Sequence, residues 1–220
     1  MIFWQIPPTY DDRDAPSRIP ARPADDDRSP STMIDLSALR EKPTLSGEHV
    51  RLVPVREEHA DDFYASMRDQ EVRRLTGTHR RFTYTEVRQW CATRGEQADR
   101  VDLAIIERSS GRFLGELALN DIDPDNESAA YRIALSAIEF TGQGIGKEAT
   151  RLVLEYAFDR LGLHRVWLDV YAFNMRAIAV YRACGFSVEG RLRDALLWEG
   201  RRHDALIMAV LENDYRKALG

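Results

Sequence analysis

Three glycines at alternate positions, Gly142, Gly144 and Gly146, stand where an extended segment gives way to a long helical pattern. Glycine lets the backbone approach a ligand closely, and the unpaired amides of a first helical turn attract an anion, phosphate above all. The same spacing is also compatible with a simple strand-to-helix turn. A dinucleotide-binding interpretation fails, because no preceding parallel strand and no acidic residue about 20 positions further on fit it.

Two polar side chains in the next predicted helix could reach the same ligand. Asn174 is placed to cap that helix and also to contact a ligand. Tyr181 lies seven residues further on, two turns or roughly 10 Å along the same face. The alternative role of Tyr181 is aromatic packing.

Glu116 is the candidate carboxylate on a predicted strand. It shares one strand face with Leu114, Ala118 and Asn120, and a carboxylate on a largely apolar face suggests a chemical role. The alternative is an ordinary solvated strand residue. His164 and His203 are further titratable candidates, of which the first is favoured as structural because it directly precedes a strand.

Hydrophobic periodicity predicts the elements that must position these residues. Alternating apolar residues indicate strands at 49–55, 101–107, 113–120, 128–135, 163–171, 186–192 and 205–211. Helices are predicted at 57–67, between the capping residue Thr83 and Gly95, at 144–161 and at 174–183. Short loops between the second, third and fourth of these strands favour an antiparallel meander of strands 101–107, 113–120 and 128–135.

The first part of the chain has a different composition from the rest. Six of the nine prolines and two runs of aspartate fall within the first 30 residues, with little apolar periodicity. Residues 1–44 are therefore predicted to be a flexible or arm-like extension, and residues 45–220 one catalytic domain. An arm that docks on a partner subunit through Phe3 and Trp4 is the alternative, and Met33 could be the true start.

Overall composition excludes several classes of function. A net charge of −5 and a pI near 5.6 argue against nucleic acid as the main ligand and suit a cationic substrate better. Cys91 and Cys184 match no metal or redox spacing, which favours buried thiols in a reducing cytoplasm and no metal site. No apolar stretch approaches the ~20 residues of a membrane span, and the first residues do not form a signal peptide. The sequence predicts a cytoplasmic protein without membrane contact.

Three segments in the last third of the chain resemble a known family. The segment LDVYAFNMRAIAVYRACGF at 168–186, with GRLRD at 190–194 and GRRHD at 200–204, resembles the GNAT superfamily of N-acetyltransferases. Within it, the resemblance is to the ribosomal-protein-alanine acetyltransferase-like branch and covers about residues 45–215. The family's Arg/Gln-x-x-Gly-x-Gly/Ala motif corresponds to residues 141–146, where Thr141 departs from the pattern.

The resemblance implies the GNAT fold, of the α+β (α/β) class. This fold has a mixed, mostly antiparallel central sheet of about seven strands, flanked by about four helices. Acetyl-CoA, the implied co-substrate, would lie between strands 128–135 and 165–171, with its pantetheine against the backbone of 136–140 and its pyrophosphate on the amides of 143–147. The side chain of Lys147 would add a contact, or would simply be solvated. The implied binding residues are Ala137, Ile138, Phe140, Gly142, Gln143, Gly144, Ile145, Gly146, Lys147, Asn174 and Tyr181.

Acetyl transfer by direct attack needs a neutral amine, stabilisation of an oxyanion and a proton for the departing thiolate. A backbone N–H where the strand 128–135 splays could serve the oxyanion. Tyr181 is the candidate general acid, since a phenol with an ordinary pKa near 10 can protonate a thiolate whose conjugate acid has a pKa of about 8.5. Glu116 is the candidate base, acting through a water. Many relatives carry a glutamate on the next strand, but residues 128–132 contain none, so capture of an already neutral amine stays open.

The predicted function is therefore an acyl-CoA-dependent N-acetyltransferase acting on a primary amine, either a small molecule or a protein N-terminus. The alternatives are an antibiotic or polyamine acetyltransferase, and a catalytically idle acyl-CoA-binding or interaction module. By the same resemblance, the insertion 57–97 and the hairpin around 198–203 would determine which acceptor binds. Their sequences do not indicate a particular substrate. A homodimer is expected by analogy with related folds.

Overall fold

A single eight-stranded sheet runs through the part of the chain that the computed structural model describes, which is Leu39 and residues 41–219. Its order is β1-β2-β3-β4-β5-β6-β8-β7, and each neighbouring pair is antiparallel except β5 and β6. The strands are β1 (Leu45–Ser46), β2 (Val50–Pro54), β3 (Val101–Glu107), β4 (Phe113–Asp123), β5 (Ser128–Leu135), β6 (Arg165–Tyr171), β7 (Ser187–Trp198) and β8 (Arg201–Leu211). The predicted mixed, mostly antiparallel sheet and its meander β3 to β5 are confirmed.

Six helices flank this sheet within the described residues, where the sequence predicted about four. They are α1 (Ala60–Ser66), α2 (Gln70–Thr76), α3 (Tyr84–Thr93), α4 (Ile145–Glu155), α5 (Met175–Ala183) and α6 (Glu212–Leu219). The helix predicted at 57–67 is a 3-10 turn followed by α1. The pattern missed α2 because this seven-residue helix has no fully buried residue and therefore no clear apolar stripe.

Local capping explains where the helices of the insertion begin and end. Thr83 and Glu86 form the predicted capping box at the start of α3. Asp69 caps α2 by accepting a hydrogen bond from the amide of Val72 at 2.8 Å. Gly77 ends α2 with φ of 64°, the left-handed conformation that favours glycine. These caps fix α2 above the sheet although little apolar surface holds it.

Several boundaries differ from the sequence-based ones. The predicted helix 144–161 is α4 followed by a π-helical turn at Tyr156–Arg160. The final hairpin is longer than predicted, because β7 continues to Trp198 and β8 begins at Arg201. Strand β7 is an edge strand, and most of its side chains are exposed. The strand predicted at 186–192 is the first part of β7, and the part beyond Leu192 was missed because the pairing with β8 is irregular between Leu192 and Leu196.

Two apolar clusters lie on opposite sides of the sheet. The larger lies beneath α4 and α5 and includes Val153 and Leu168, and the smaller lies beneath α1 and α3 around Phe63 and Trp90. Both cysteines are buried, as predicted. Burial, followed by the charge of Glu116, raises the pKa of the Cys91 thiol to about 12.

The predicted arm lies almost wholly outside the described residues, including Phe3, Trp4 and Met33. Leu39 is already buried in the larger cluster, at 1% exposure. The Lys42 ammonium donates to the carbonyls of Leu39, Gln97 and Arg100 at 2.6 to 2.7 Å. The boundary between residues 44 and 45 stays a prediction. None of the helices in the described part of the chain combines the length and apolar character that crossing a membrane requires.

Candidate active site

The two parallel strands of the sheet separate after only three residue pairs. Strand β5 pairs with β6 at Ser128↔Arg165, Ala129↔Val166 and Ala130↔Trp167. Beyond these pairs, β5 remains paired only with β4, as far as Leu135, and β6 remains paired only with β8, as far as Tyr171. A cavity of about 1180 Å³ opens between the diverging ends. The edge of β5 that faces β6 there can pair with an extended ligand as a further strand would.

The glycine loop forms one wall of this cavity. Gly142 has φ of 79° and Gly144, the N-terminal cap of α4, has φ of 83°, so both positions favour glycine. A Cβ atom placed on Gly142, Gly144 or Gly146 would meet no atom within 4 Å. The loop is therefore shaped to receive a group in front of its backbone, and the first amides of α4 give that place a positive potential.

A chain of buried hydroxyls joins this helix to β5. Thr150 donates its hydroxyl hydrogen to the carbonyl of Gly146 at 2.6 Å. The hydroxyl of Tyr131 lies 2.9 Å from that of Thr150 and is therefore its donor. The first turn of α4 is thus held against the strand that forms the opposite wall.

The structure brings most of the predicted binding residues to this cavity. Its lining includes Ala137, Ile138, Phe140, Gly142, Gly144, Gly146, Asn174 and Tyr181. The side chains of Gln143, Ile145 and Lys147 are not part of the lining: Gln143 donates to the carbonyl of Glu139 at 2.7 Å, and Ile145 is buried in the larger cluster. The expected contact with the backbone amides of these three residues stays a prediction.

Asn174 and Tyr181 stand on the opposite side of the cavity. Asn174 caps α5 as predicted, because its Oδ1 accepts from the amide of Ala177 at 3.2 Å. Tyr181 is 6% exposed and packs edge-on against Tyr131, with ring centroids 6.3 Å apart. Burial, and then the charge of Asp169, raises the pKa of the Tyr181 phenol, so the ordinary value near 10 assumed from the sequence is wrong. Tyr181 remains protonated at every physiological pH.

Glu116 is buried at the far end of the cavity and is not the solvated residue that the sequence left open. It is 4% exposed, and its Oε1 accepts from Nη1 of Arg132 at 3.1 Å. Its Oε2 is buried and has no hydrogen-bond partner in the described part of the chain. Burial raises the pKa of this carboxyl, and Arg132 opposes that rise. One oxygen is thus anchored while the other is left to accept a proton or an N–H group.

An ion-pair network that the sequence did not reveal holds Glu116 in place. Arg132 also donates to Asp102 at 3.0 Å, and Arg100 donates to the two oxygens of Asp102 at 2.6 and 2.8 Å. Asp102 and Arg132 both lie opposite Ala118, on the strands either side of β4. The signal in the sequence was a charged residue inside each of two apolar strands, but the pairing register was needed to bring them together.

Aromatic and charged side chains lie along the part of the cavity next to α2 and the end of β6. The Arg74 guanidinium lies 4.7 Å from the ring centroid of Phe173, which stacks on Tyr171 at 5.7 Å. His203, a candidate base from the sequence, packs edge-on against Phe173 at 4.9 Å and is not part of the cavity lining. His164 lies where β6 begins, also outside the lining. Neither histidine is placed to act as the base.

Further lining residues went unnoticed in the sequence because they come from distant elements. They are Glu71, Arg74 and Thr76 of α2, Trp90 of α3, Arg100, Asn120 and Asp121 near β4, and Trp167, Asp169, Tyr171, Phe173 and Arg176 near β6 and α5. Within the described residues, no group of three or more His, Cys, Asp and Glu side chains could hold a metal ion.

Comparison with known proteins agrees with this geometry. The family model described as an acetyltransferase (GNAT) domain matches residues 49–187, more than half of the chain. Spermidine N(1)-acetyltransferase of Escherichia coli K12 is 31% identical over 128 residues, which are 54% of this chain and 68% of that protein. The Bacillus subtilis protein YdaF, named as a candidate ribosomal N-acetyltransferase, is 35% identical over 107 residues, or 48% of this chain and 57% of its own.

A solved structure shares the fold. The crystal structure of spermidine N-acetyltransferase from Vibrio cholerae, in complex with CoA and spermine, aligns with a TM-score of 0.71 and 20% identity over 77% of this chain and 99% of that one. With the family model and the splayed strands in agreement, the chain belongs to the GNAT acetyltransferase family, whose members are acyl-CoA-dependent N-acetyltransferases.

Proposed function

We propose that this enzyme transfers the acetyl group of acetyl-CoA to the primary amine of a small molecule. The observation that carries the proposal is a single cavity that reaches from the glycine loop, past Tyr181, to the buried carboxylate of Glu116. Around the glycine loop the wall is formed largely by backbone, which suits a phosphate-bearing donor. Around Arg74, Glu116 and Phe173 the wall is formed by side chains, which suits a small acceptor.

The donor would bind beside the glycine loop. Its pyrophosphate would lie on the first amides of α4, in the space in front of Gly142, Gly144 and Gly146. Its pantetheine would run along the free edge of β5 past Ala137, which brings the thioester to the point where β5 and β6 part. The relative from Vibrio cholerae, solved with CoA and spermine, supports this choice of donor.

Transfer would use two side chains on opposite sides of the thioester. The amine nitrogen attacks the carbonyl carbon, and its proton passes through a water to Glu116. A backbone N–H of β5 stabilises the oxyanion of the tetrahedral intermediate. When the carbon–sulfur bond breaks, Tyr181 gives its proton to the sulfur, and the phenol recovers a proton from solvent. The raised pKa of Tyr181 does not prevent this step, because the same dry surroundings also raise the pKa of the thiol that forms.

The acceptor end supports a small amine more than a polypeptide. Helix α2 and the loop after it contact the β7–β8 hairpin: Gln70 at the start of α2 donates to the carboxylate of Glu199 at 3.4 Å, and His79 of the loop packs on Trp198 with centroids 5.0 Å apart. Arg74 and Phe173, whose side chains contact each other, line the cavity itself. A peptide would have to displace them. The spermidine acetyltransferases of Escherichia coli and Vibrio cholerae are relatives named for small amine substrates.

The test is thiol release from acetyl-CoA over a panel of acceptors. Spermidine, short alkyl amines, aromatic amines and peptides with free N-termini are compared at equal concentration, and products are identified by mass. We expect release with at least one small amine, with kcat/KM well above that of each peptide. A preference for peptides would overturn the choice of acceptor. Binding of CoA without release on any acceptor would instead favour the idle module that the sequence left open.

A further inference from the structure

We propose that Arg176 supplies the cationic side chain for the pyrophosphate of the donor, replacing the one that position 141 of the glycine motif lacks. This inference rests on the proposed function, since it assigns a binding role within the same donor site. Position 141 is a threonine here, and Lys147, the single cation among residues 141–147, does not line the cavity. The glycine loop therefore needs a side-chain charge from another element.

Arg176 reaches this loop from the first turn of α5. Its Nη1 donates to the hydroxyl of Thr141 at 3.1 Å, and that hydroxyl in turn donates to the carbonyl of Ile138 at 2.7 Å. Thr141 is thereby oriented to accept from the guanidinium. The residue that breaks the motif is also the one that holds the replacement charge in place.

The position of Arg176 suits a phosphate group. It lines the same cavity as Gly142, Gly144 and Gly146, in front of which space is open. The bond to Thr141 uses one of five guanidinium N–H donors, and a planar fork of the others matches two phosphate oxygens. Its charge also acts within the cavity, since the pKa of Glu71, another lining residue, is lowered first by its hydrogen bond with Arg74 and further by Arg176.

The experiment compares three acetyl donors in the intact enzyme: acetyl-CoA, acetyl-dephospho-CoA without the 3′-phosphate, and S-acetyl-pantetheine without the pyrophosphate and nucleotide. For Arg176→Ala we expect KM to rise roughly 10-fold to 100-fold for the first two donors, the loss of a charge-assisted contact. KM for S-acetyl-pantetheine and kcat at saturation should change less than about threefold, a range set by ordinary context dependence. Arg182→Ala, which removes an exposed arginine from the same helix, should leave all three KM values unchanged.

Restoring the motif gives a second, independent readout. In the double variant Arg176→Ala with Thr141→Arg, the new arginine at position 141 should recover most of the lost affinity for acetyl-CoA. Arg176→Lys should recover part of it, because lysine keeps the charge without the fork. If KM of Arg176→Ala rises for acetyl-CoA but not for acetyl-dephospho-CoA, Arg176 binds the 3′-phosphate and the proposal is wrong. An equal rise in KM for S-acetyl-pantetheine would also overturn the proposal, because that donor has no pyrophosphate.

Calorimetric binding of CoA separates this inference from the proposed function. If wild type binds CoA and Arg176→Ala binds it at least 10-fold more weakly, the inference stands even when no acceptor is turned over. If both bind equally while thermal melting shows both folded, the inference fails whatever the activity. A wild-type enzyme that does not bind CoA would contradict both proposals together.

Discussion

The two ends of the cavity are built from different parts of the chain and from different chemical groups. The donor end consists of backbone: the free edge of β5, the glycine loop and the first turn of α4, all within residues 128–147. The acceptor end consists of side chains, which include Arg74, Glu116 and Phe173 from three separate elements. A ligand at the donor end is recognised through groups that every residue type carries. A ligand at the acceptor end is recognised through residues that one substitution can change.

This difference implies that the two ends respond differently to mutation. Substitution at the donor end should change affinity for the donor only where it alters backbone shape or a charge. Substitution at the acceptor end should change the choice of acceptor. Tyr181 and Glu116 line the cavity as the proposed acid and base, so their loss should affect the rate of transfer.

Tyr181→Phe is expected to have the largest effect. It removes the proton for the departing thiolate, and loss of a general acid lowers kcat by about 10²-fold to 10⁴-fold. The ring remains to pack against Tyr131 and Phe186, so the Kd for CoA should stay nearly unchanged. Stopped-flow turnover with calorimetric binding measures both quantities. An unchanged kcat would remove Tyr181 from the mechanism.

Glu116→Gln should lower kcat/KM roughly 10-fold to 100-fold, toward the low end of the range for a general base because an amine that is already neutral can still react. The pH profile gives a sharper test. Burial raises the pKa of this carboxyl above its ordinary value, so activity of the wild type should rise with pH through that raised pKa. The glutamine variant should lose this limb. A wild-type limb that persists in the variant belongs to the substrate amine, and Glu116 is then not the base.

Two glycine substitutions separate backbone shape from occupied volume at the donor end. Gly144 has φ of 83°, where alanine is strained by about 1 to 2 kcal/mol, so Gly144→Ala should distort the loop and raise KM for acetyl-CoA several-fold. Gly146 is helical, and an added Cβ there meets nothing within 4 Å. Gly146→Ala is the matched variant that adds a Cβ without backbone strain, so its KM for acetyl-CoA should rise less than that of Gly144→Ala. Equal loss in both variants would show that volume, not backbone shape, matters in this loop.

The contrast between the ends also explains what the sequence could predict. The proposed donor end is mainly the segment 128–147, whose glycines and helix start follow from local rules, as does the cap of α5 by Asn174, so its elements were predicted and most of the predicted binding residues line the cavity. Thr141 was noticed as a departure, but its partner Arg176 is 35 positions away and became visible only with the 3.1 Å bond between them.

The acceptor end was far less predictable. Glu116 stood out as a carboxylate in an apolar strand, yet its partners Arg132 and Asp102 lie on other strands and depend on register. Helix α2 was missed altogether, since it is seven residues long and has no fully buried residue. Its position depends on the contact of Arg74 with Phe173 after β6 and on the hydrogen bond of Gln70 with Glu199 in the hairpin turn, and no local sequence pattern predicts either contact.

Arg74→Ala tests whether the acceptor end alone sets the choice of amine. The substitution removes the cation that lies over Phe173. It also leaves Glu71, which lines the cavity, without its two hydrogen bonds of 2.6 and 2.8 Å to the Arg74 guanidinium. We compare amines that carry a second positive charge with amines that carry none besides the reacting group. The ratio of their kcat/KM values should shift several-fold toward the doubly charged amines, because the variant loses one positive charge at an exposed position. KM for acetyl-CoA should not change. A change in donor KM with no change in acceptor ratio would contradict the division into two ends.

Tyr131→Phe should have the smallest effect on catalysis and a measurable effect on stability. The variant keeps the ring beside Tyr181 but removes the hydroxyl that donates to Thr150. Loss of one buried hydrogen bond should lower the free energy of unfolding by about 1 kcal/mol, because Thr150 keeps its other bond to Gly146. Urea unfolding measures this change. It is also the matched control for Tyr181→Phe, since each removes one buried phenolic hydroxyl from the same aromatic cluster. A large fall in kcat here would mean that the rate depends on how α4 is held against β5, and not on the phenol of Tyr181 alone.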